Sequence, residues 1–169
     1  MSYQYPNIRK ALQLVVSVAV SELAGIIGAA FTAPSIPTWY AGLVKPALNP
    51  PAWIFGPVWT TLYALMGTSL FLIWSSYAKA SEGLGKTKIV RASWMFFIQL
   101  ALTIFWSIFF FGMQNPALAF ADIILLWLAI LTTIILFYRI SKPASYLLLP
   151  YILWVSFAVY LNYSLWMLN

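Results

Sequence analysis

Cysteine and histidine are both absent from this sequence of 169 residues, and only 7% of its residues are charged. Without thiols and imidazoles there are no disulfides, no usual ligands for zinc, iron–sulfur clusters or haem iron, and no Ser-His-Asp triad. The only carboxylates are Glu22, Glu82 and Asp122, so we do not expect paired-carboxylate catalysis either. We therefore predict no metal site and no required cofactor, and any chemistry must come from aromatic rings, amides, hydroxyls and shape.

Apolar residues make up 63% of the chain, and its mean hydropathy is +0.90. A soluble domain is about 45–50% apolar, so this chain has too little polar surface for a globule in water. A helix needs roughly 20 apolar residues to cross a bilayer, and continuous apolar runs are unlike alternating β-barrel strands. The candidate spans are about Ala11–Thr32, Trp53–Tyr77, Ala92–Phe111, Ala117–Tyr138 and Tyr146–Leu168. The sequence predicts an all-α, polytopic five-transmembrane-helix bundle that forms one domain over residues 1–169.

Proline is concentrated in the long connection predicted at about Ala33–Pro51, which contains five prolines. Because proline restricts the unfolded chain, this segment can hold a defined shape. Pro57 and Pro150 lie inside or at the start of spans, where proline either kinks a helix or marks its first turn.

Basic residues are distributed very unevenly between the two ends of the predicted bundle. One end has only Lys45. The other end has Arg9, Lys10, Lys79, Lys86, Lys88, Arg91, Arg139 and Lys142. This asymmetry predicts an integral protein of the cell membrane with a cytoplasmic N-terminus and an external C-terminus. The net charge of +6 then reflects topology and attraction to anionic lipids, and we expect no nucleic-acid binding because the basic residues are scattered among short loops.

Three spans have helix faces that combine aromatic, small and hydrogen-bonding residues. These faces are Trp59, Tyr63 and Gly67; Gln99, Thr103, Trp106, Ser107 and Phe110; and Tyr151, Trp154, Ala158 and Asn162. Amides gain nothing from contact with lipid, so these faces are more typical of an apolar pocket with a few placed polar atoms. A buried indole also needs a partner for its N–H group, which favours an inward position for several tryptophans.

The other tryptophans have plainer interpretations. Trp53, Trp74, Trp94 and Trp166 lie near span ends, and we assign them to the aromatic belts of the membrane interfaces. The sequence shows no partner for Trp127, whose expected role is packing. Carboxylates inside a membrane are expensive and face an interior, so Glu22 and Asp122 serve either as structural hydrogen-bonding groups or in function.

One stretch of the chain reads WYAGLVKP, then NPPAW, then GPVWTTLYALMG, over Trp39–Gly67. This pattern closely resembles the translocator protein family, also called tryptophan-rich sensory proteins or peripheral-type benzodiazepine receptors. Further similar positions in the other spans extend the resemblance over essentially the whole chain. Leu48, Thr103 and Ile108 depart from the residues usual in the family.

The resemblance implies a receptor for tetrapyrroles, with protoporphyrin IX as the main ligand and haem as a further one, and for similar hydrophobic molecules, with a sensory or regulatory role. It implies a cavity beneath a lid formed by Ala33–Pro51. The expected ligand-binding residues are Tyr40, Trp59, Tyr63, Thr103, Trp106, Ser107, Asp122, Trp154, Ala158 and Asn162. Lys45 pairs either with a ligand propionate or with lipid phosphate. A homodimer is expected by analogy alone.

Two alternative functions stay open. The first is light-dependent degradation of porphyrins, for which Trp59 and Trp154 are the candidate catalytic residues because an indole can donate an electron to an excited porphyrin. The second is transport of a porphyrin or sterol, although the sequence has no inverted repeat. We expect a binding protein more than an enzyme.

Overall fold

The computed structural model describes residues 5–77, 80 and 83–169. Lys79 and Glu82, which entered the charge and carboxylate arguments, lie outside the described residues. The α-helices are α1 (Tyr5–Ser35), α2 (Ala52–Tyr77), α3 (Leu84–Ser107), α4 (Pro116–Tyr138), α5 (Lys142–Tyr146) and α6 (Leu149–Leu168).

Five helical segments are long and apolar enough to cross a membrane, which confirms the predicted five-helix bundle. They are Ile8–Tyr40, Ala52–Tyr77, Gly85–Gly112, Pro116–Tyr138 and Lys142–Leu168. The observed segments begin and end within a few residues of the predictions, except at the end of the first segment and at the start of the third, which begins at Gly85 and not at Ala92. In a bilayer a helix satisfies its own backbone groups, and this favours long helices wherever the sequence stays apolar.

The first span is longer than predicted, so the expected start of the lid at Ala33 is wrong. Beyond Ser35 the chain continues through a π-helical turn at Ile36–Tyr40, and the connection to α2 is residues 43–51. Pro34 lies inside α1, and Thr38 Oγ1 donates a hydrogen bond to its carbonyl at 3.0 Å. The wider π-helical turn gives room to the ring of Pro37, which would crowd the preceding turn of an α-helix.

The third span also ends in a π-helical turn, at Ile108–Gly112. The chain then reverses within residues 113–115, where Gln114 has a φ of 52°. Asn115 caps α4 by accepting a hydrogen bond from the backbone N–H of Leu118 at 3.0 Å. We call the end of the bundle that contains residues 43–51 and 113–115 the loop end.

The last span is divided in two, which the sequence did not predict. The short helix α5 ends at Tyr146, and a turn at residues 147–148 separates it from α6. Pro150 lies in the first turn of α6, where its missing N–H removes no helical hydrogen bond. It therefore marks a helix start, whereas Pro57 lies inside α2.

The end of the bundle opposite the loop end is filled by side chains. Helix α1 packs against α2 and α3, α3 packs against α4, and α4 packs against α6. Phe96 on α3 and Phe137 on α4 are fully buried and stack with their ring centroids 6.1 Å apart. Gly67 on α2 lies so close to the backbone of Val18 on α1 that a Cβ there would collide with it. We call this region, centred on these four residues, the packed half.

Candidate functional site

A cavity of about 520 Å³ lies between α1, α2, α3 and α6, in the half of the bundle nearer the loop end. Helices α1, α3 and α6 run toward the loop end, and α2 runs away from it. Glu22, Tyr63 and Thr103 therefore line the floor of the cavity near the middle of the bundle, while Tyr40 and Leu165 line its loop end. The volume falls within the range of about 300–1,000 Å³ that small-molecule sites have.

Nine of the ten side chains predicted to bind ligand line this one cavity. They are Tyr40, Trp59, Tyr63, Thr103, Trp106, Ser107, Trp154, Ala158 and Asn162. Asp122 is the exception. It is buried on α4 and does not line the cavity, and its Oδ2 atom has no hydrogen-bond partner within the described residues. The structure thus brings together side chains from four helices and leaves the predicted carboxylate outside.

Three tryptophans form the aromatic walls. The ring of Trp59 lies 5.6 Å from that of Tyr63 and 6.3 Å from that of Tyr151, centroid to centroid. Trp154 makes an edge contact with Phe55 at 6.1 Å, and both rings line the cavity. Such rings offer large flat apolar surfaces whose faces prefer other aromatic groups at these distances.

Trp106 is the most firmly fixed of the three. Its ring stacks on Phe110 with centroids 5.3 Å apart, and its Nε1–H donates to Asn162 Oδ1 at 2.9 Å. The same amide donates from Nδ2 to the carbonyl of Pro116 at 2.8 Å. Asn162 therefore satisfies the buried indole and ties α3 to α6 and α4, so its amide is engaged in positioning the wall.

Hydroxyl groups at the floor are also engaged with the protein. The hydroxyls of Thr103 and Tyr151 form a hydrogen bond of 2.6 Å, and Thr103 Oγ1 donates to the carbonyl of Gln99 at 2.9 Å. Tyr151 is fully buried behind the cavity. The side-chain amide of Gln99 has no hydrogen-bond partner within the described part of the chain. Thr103 thus holds α3 to α6 at the floor.

Glu22 and three glycines also line the cavity, although the sequence did not mark them as site residues. Gly25 leaves room for the ring of Tyr63, and Gly28 leaves room for Ser107, whose Oγ would lie 2.9 Å from an added Cβ. Gly56 has no atom within 4 Å of such a Cβ. The absence of a side chain at these positions thus leaves space for a neighbouring side chain at Gly25 and Gly28 and open space at Gly56.

The cavity is least enclosed between α1 and α2. Ile26 on α1 is 66% exposed, and Trp53 on α2 is 74% exposed, yet both line the cavity. Trp53, which the sequence assigned to an interfacial belt, therefore also lines the cavity. Gly56 and Thr60 on the same face of α2 are also exposed. This side of the cavity faces the region that lipid occupies around a membrane bundle.

The loop end is covered by a short segment held at both of its ends. Tyr40 donates from its hydroxyl to Asn49 Oδ1 at 2.8 Å. Asn169 pairs twice with Val44, accepting from its N–H at 2.9 Å and donating to its carbonyl at 3.1 Å. Lys45 Nζ lies 5.0 Å from the centroid of the Tyr40 ring and donates to the carbonyls of Ala41 and Leu43. The segment 43–51 is therefore tied to α1 and to the end of α6.

Trp127 has a partner that the sequence did not reveal. Its Nε1–H donates to Ser156 Oγ at 2.8 Å, on the side of α4 that faces α6. The expectation that Trp127 lacks a partner is therefore wrong, and the residue joins two helices outside the cavity. The sequence shows Ser156 two positions after Trp154, but it does not show that α4 packs against α6 and brings this serine to Trp127.

Within the described residues, five helices long enough to span a membrane surround an aromatic cavity, and this architecture defines a polytopic membrane protein. Residues 17–167 match the model of the TspO/MBR family, and the chain belongs to that family. It is 46% identical to the tryptophan-rich protein TspO of Archaeoglobus fulgidus over 94% of this chain and 97% of the relative. It is 37% identical to the translocator protein of Bos taurus over 88% and 85% of the two chains.

A third relative is the tryptophan-rich sensory protein of Cereibacter sphaeroides, which is 34% identical over 78% of this chain and 77% of its own. Two of these relatives are named as translocator or sensory proteins, and none of the three names denotes an enzyme. The family and the five apolar helices together identify an integral membrane protein with a sensory or binding role.

Proposed function

We propose that this protein binds tetrapyrroles, protoporphyrin IX in particular and haem as a further ligand, and that occupancy of the cavity serves a sensory or regulatory role. The observation that carries the proposal is the convergence of Trp59, Trp106 and Trp154 on one apolar cavity of about 520 Å³. A planar aromatic macrocycle can stack against several indole rings at once, which a compact aliphatic molecule cannot.

The cavity residues would contact different parts of the ligand, according to their position in the cavity. Trp59 and Trp154 would contact the faces and edges of the macrocycle, and Trp106, held by Asn162, would form a rigid wall. Tyr40 would close the loop end. The chain has no histidine or cysteine, so haem would be held by its ring and not by a strong axial ligand. A haem titration should therefore show no spectrum of the bis-imidazole type.

We also propose the membrane setting. The N-terminus would lie in the cytoplasm and the C-terminus outside the cell membrane, and two copies would form a homodimer. The absence of native cysteine makes the orientation easy to test. A membrane-impermeant thiol reagent should label Lys45→Cys on intact cells and should label Lys142→Cys only after lysis; the reverse pattern would contradict the orientation.

A porphyrin titration tests the binding proposal. Purified protein in nanodiscs is titrated with protoporphyrin IX, and binding is followed by quenching of tryptophan fluorescence and by the Soret band. We expect saturable binding to the wild type and roughly tenfold weaker binding to Trp154→Ala, because an anchoring aromatic contact is lost. Trp166→Ala is the matched control, since Trp166 contacts Phe120 and Tyr163 outside the cavity lining. Non-saturable binding, or equal losses in both variants, would refute the proposal.

Light-dependent porphyrin degradation is the second candidate function. It is favoured by the chain of aromatic rings that runs from Trp59 to Tyr63 and Tyr151, which could carry an electron hole away from a photoexcited porphyrin. Illumination of the complex should then bleach the Soret band, and Trp59→Phe/Trp154→Phe should stop the bleaching while still binding porphyrin. Bleaching at an unchanged rate in the double variant would remove this candidate.

A further inference from the structure

The floor of the cavity has a carboxylate that the proposed contacts do not use. Glu22 lies on the cavity face of α1, one turn before Gly25 and Ile26, which also line the cavity. Among the lining residues that the structure describes, it is the one acidic side chain, and none is lysine or arginine. No hydrogen bond or ion pair of its carboxylate is found within the described ranges.

The opposite end of the cavity has the opposite charge nearby. Tyr40 lines the loop end, and the ammonium group of Lys45 lies 5.0 Å from the centroid of its ring. Glu22 and Tyr40 are 18 residues apart on one continuous helical segment, which corresponds to about 27 Å at 1.5 Å per residue. The long axis of the cavity therefore runs from a carboxylate at its floor to a cation at its loop end.

Charges interact strongly in such a setting because the surrounding helices and lipid exclude water. At an effective dielectric constant of about 20, one ligand carboxylate about 27 Å from Glu22 changes an affinity roughly threefold, and two such carboxylates change it roughly eightfold. A ligand carboxylate at the floor would lie still closer to Glu22, with no cation in the lining to compensate for the repulsion.

We propose that Glu22 is a specificity-determining residue that rejects carboxylates from the floor, so that an acidic tetrapyrrole binds with its apolar edge toward Glu22 and its carboxylates toward Lys45. This inference rests on the proposed function and adds an orientation to it. It also states a ligand class for the floor: neutral, apolar or hydrogen-bond-donating groups, and no anions.

The test compares protoporphyrin IX with its dimethyl ester, which keeps the macrocycle but removes both negative charges. The readout is the ratio of the two dissociation constants, because partition of each ligand into the nanodisc is the same for every variant. Glu22→Gln should tighten binding of the free acid about eightfold and leave the ester within about twofold. Asp122→Asn is the matched control: it removes the other described carboxylate without touching the cavity lining, and it should leave the ratio unchanged.

A second variant tests the other end of the axis. Lys45→Gln lies in the exposed connecting segment and should weaken binding of the free acid while leaving the ester unaffected, so its effect is opposite in sign to that of Glu22→Gln. An unchanged ratio in Glu22→Gln, equal changes for acid and ester, or an equal effect of Asp122→Asn would each overturn the inference. If the wild type binds neither porphyrin saturably, the proposed function itself fails, which is a different outcome.

Discussion

The two halves of the bundle are built from the same helices but use them differently. In the packed half, Phe96 on α3 and Phe137 on α4 are fully buried and stack on each other. In the half near the loop end, Trp59 and Trp154 stand against a cavity of about 520 Å³. Overall hydrophobicity does not distinguish the halves. The difference lies in whether facing side chains fill the gap between helices or only border it.

Glycine shows the same contrast on a single helix. Gly67 on α2 allows the backbone of α1 to approach directly, whereas Gly56, three turns earlier on α2, faces open space. Gly67 allows α1 and α2 to come into contact, whereas Gly56 leaves the space beside α2 open. A small residue in a membrane helix is therefore not by itself a sign of helix association, because its role depends on what it faces.

The largest expected effect is the loss of a ring from the packed half. Phe96→Ala should lower the free energy of unfolding by about 3 kcal/mol, because the surrounding side chains lose their contacts and cannot close the hole. Thermal unfolding in detergent measures it. Trp59→Ala is the paired variant and should cost clearly less stability, since its ring already borders a void. Equal losses would show that the two halves are packed alike.

The second-largest effect is expected from one methyl group added where α1 and α2 are in contact. Gly67→Ala places a Cβ against the backbone of Val18, which cannot move aside as a flexible side chain can, and should cost about 2 kcal/mol. Gly56→Ala adds the same methyl group in open space and should leave the melting temperature nearly unchanged. If both variants unfold at the wild-type temperature, α1 and α2 are not in the close contact described.

The hydrogen-bonded wall of the cavity is the third target. Asn162→Leu leaves the N–H of Trp106 and the carbonyl of Pro116 without their partner and should cost about 1–2 kcal/mol. It should also weaken porphyrin binding because the indole loses its fixed orientation. Trp106→Phe removes the donor, so Asn162→Leu added to it should cost less than Asn162→Leu alone. Strict additivity would argue against the bond.

The smallest expected effect is at the loop end. Asn169→Ala removes both hydrogen bonds to Val44 and should lower stability by only about 0.5–1 kcal/mol, since the pair is exposed. Its clearer consequence should be kinetic, with porphyrin exchange accelerated severalfold in stopped-flow fluorescence because the segment 43–51 loses one attachment. Asn115→Ala, at the α4 cap, serves as a control that leaves this segment intact. Equal exchange rates would show that the segment does not limit access.

The sequence predicted the spans because continuous apolar runs and interrupting loops have few interpretations in a membrane protein. It also identified nine residues of the cavity lining, since amides and small residues beside tryptophans at helical spacing have no reason to face lipid. It misjudged the end of α1, because Pro34 and Pro37 usually stop a helix in water, whereas here Pro34 lies inside α1 and Pro37 lies in a π-helical turn.

The remaining differences depend on helix rotation and pairing, which periodicity alone does not fix. Asp122 shares a span with residues that face the core, but the cavity lies between α1, α2, α3 and α6, so a residue of α4 does not line it. The sequence predicts that Glu22 faces an interior, but it does not show that the cavity lies there. The partner of Trp127 became visible only once α4 and α6 were adjacent.

The glycines of α1 give the cavity an adjustable width. A methyl group at Gly28 would lie 2.9 Å from the hydroxyl of Ser107, and one at Gly25 would collide with the aromatic ring of Tyr63. At either position the added methyl group would displace a lining side chain and so change the width of the cavity. Binding of a series of ligands of graded size to these variants would then measure the largest molecule that the cavity accepts.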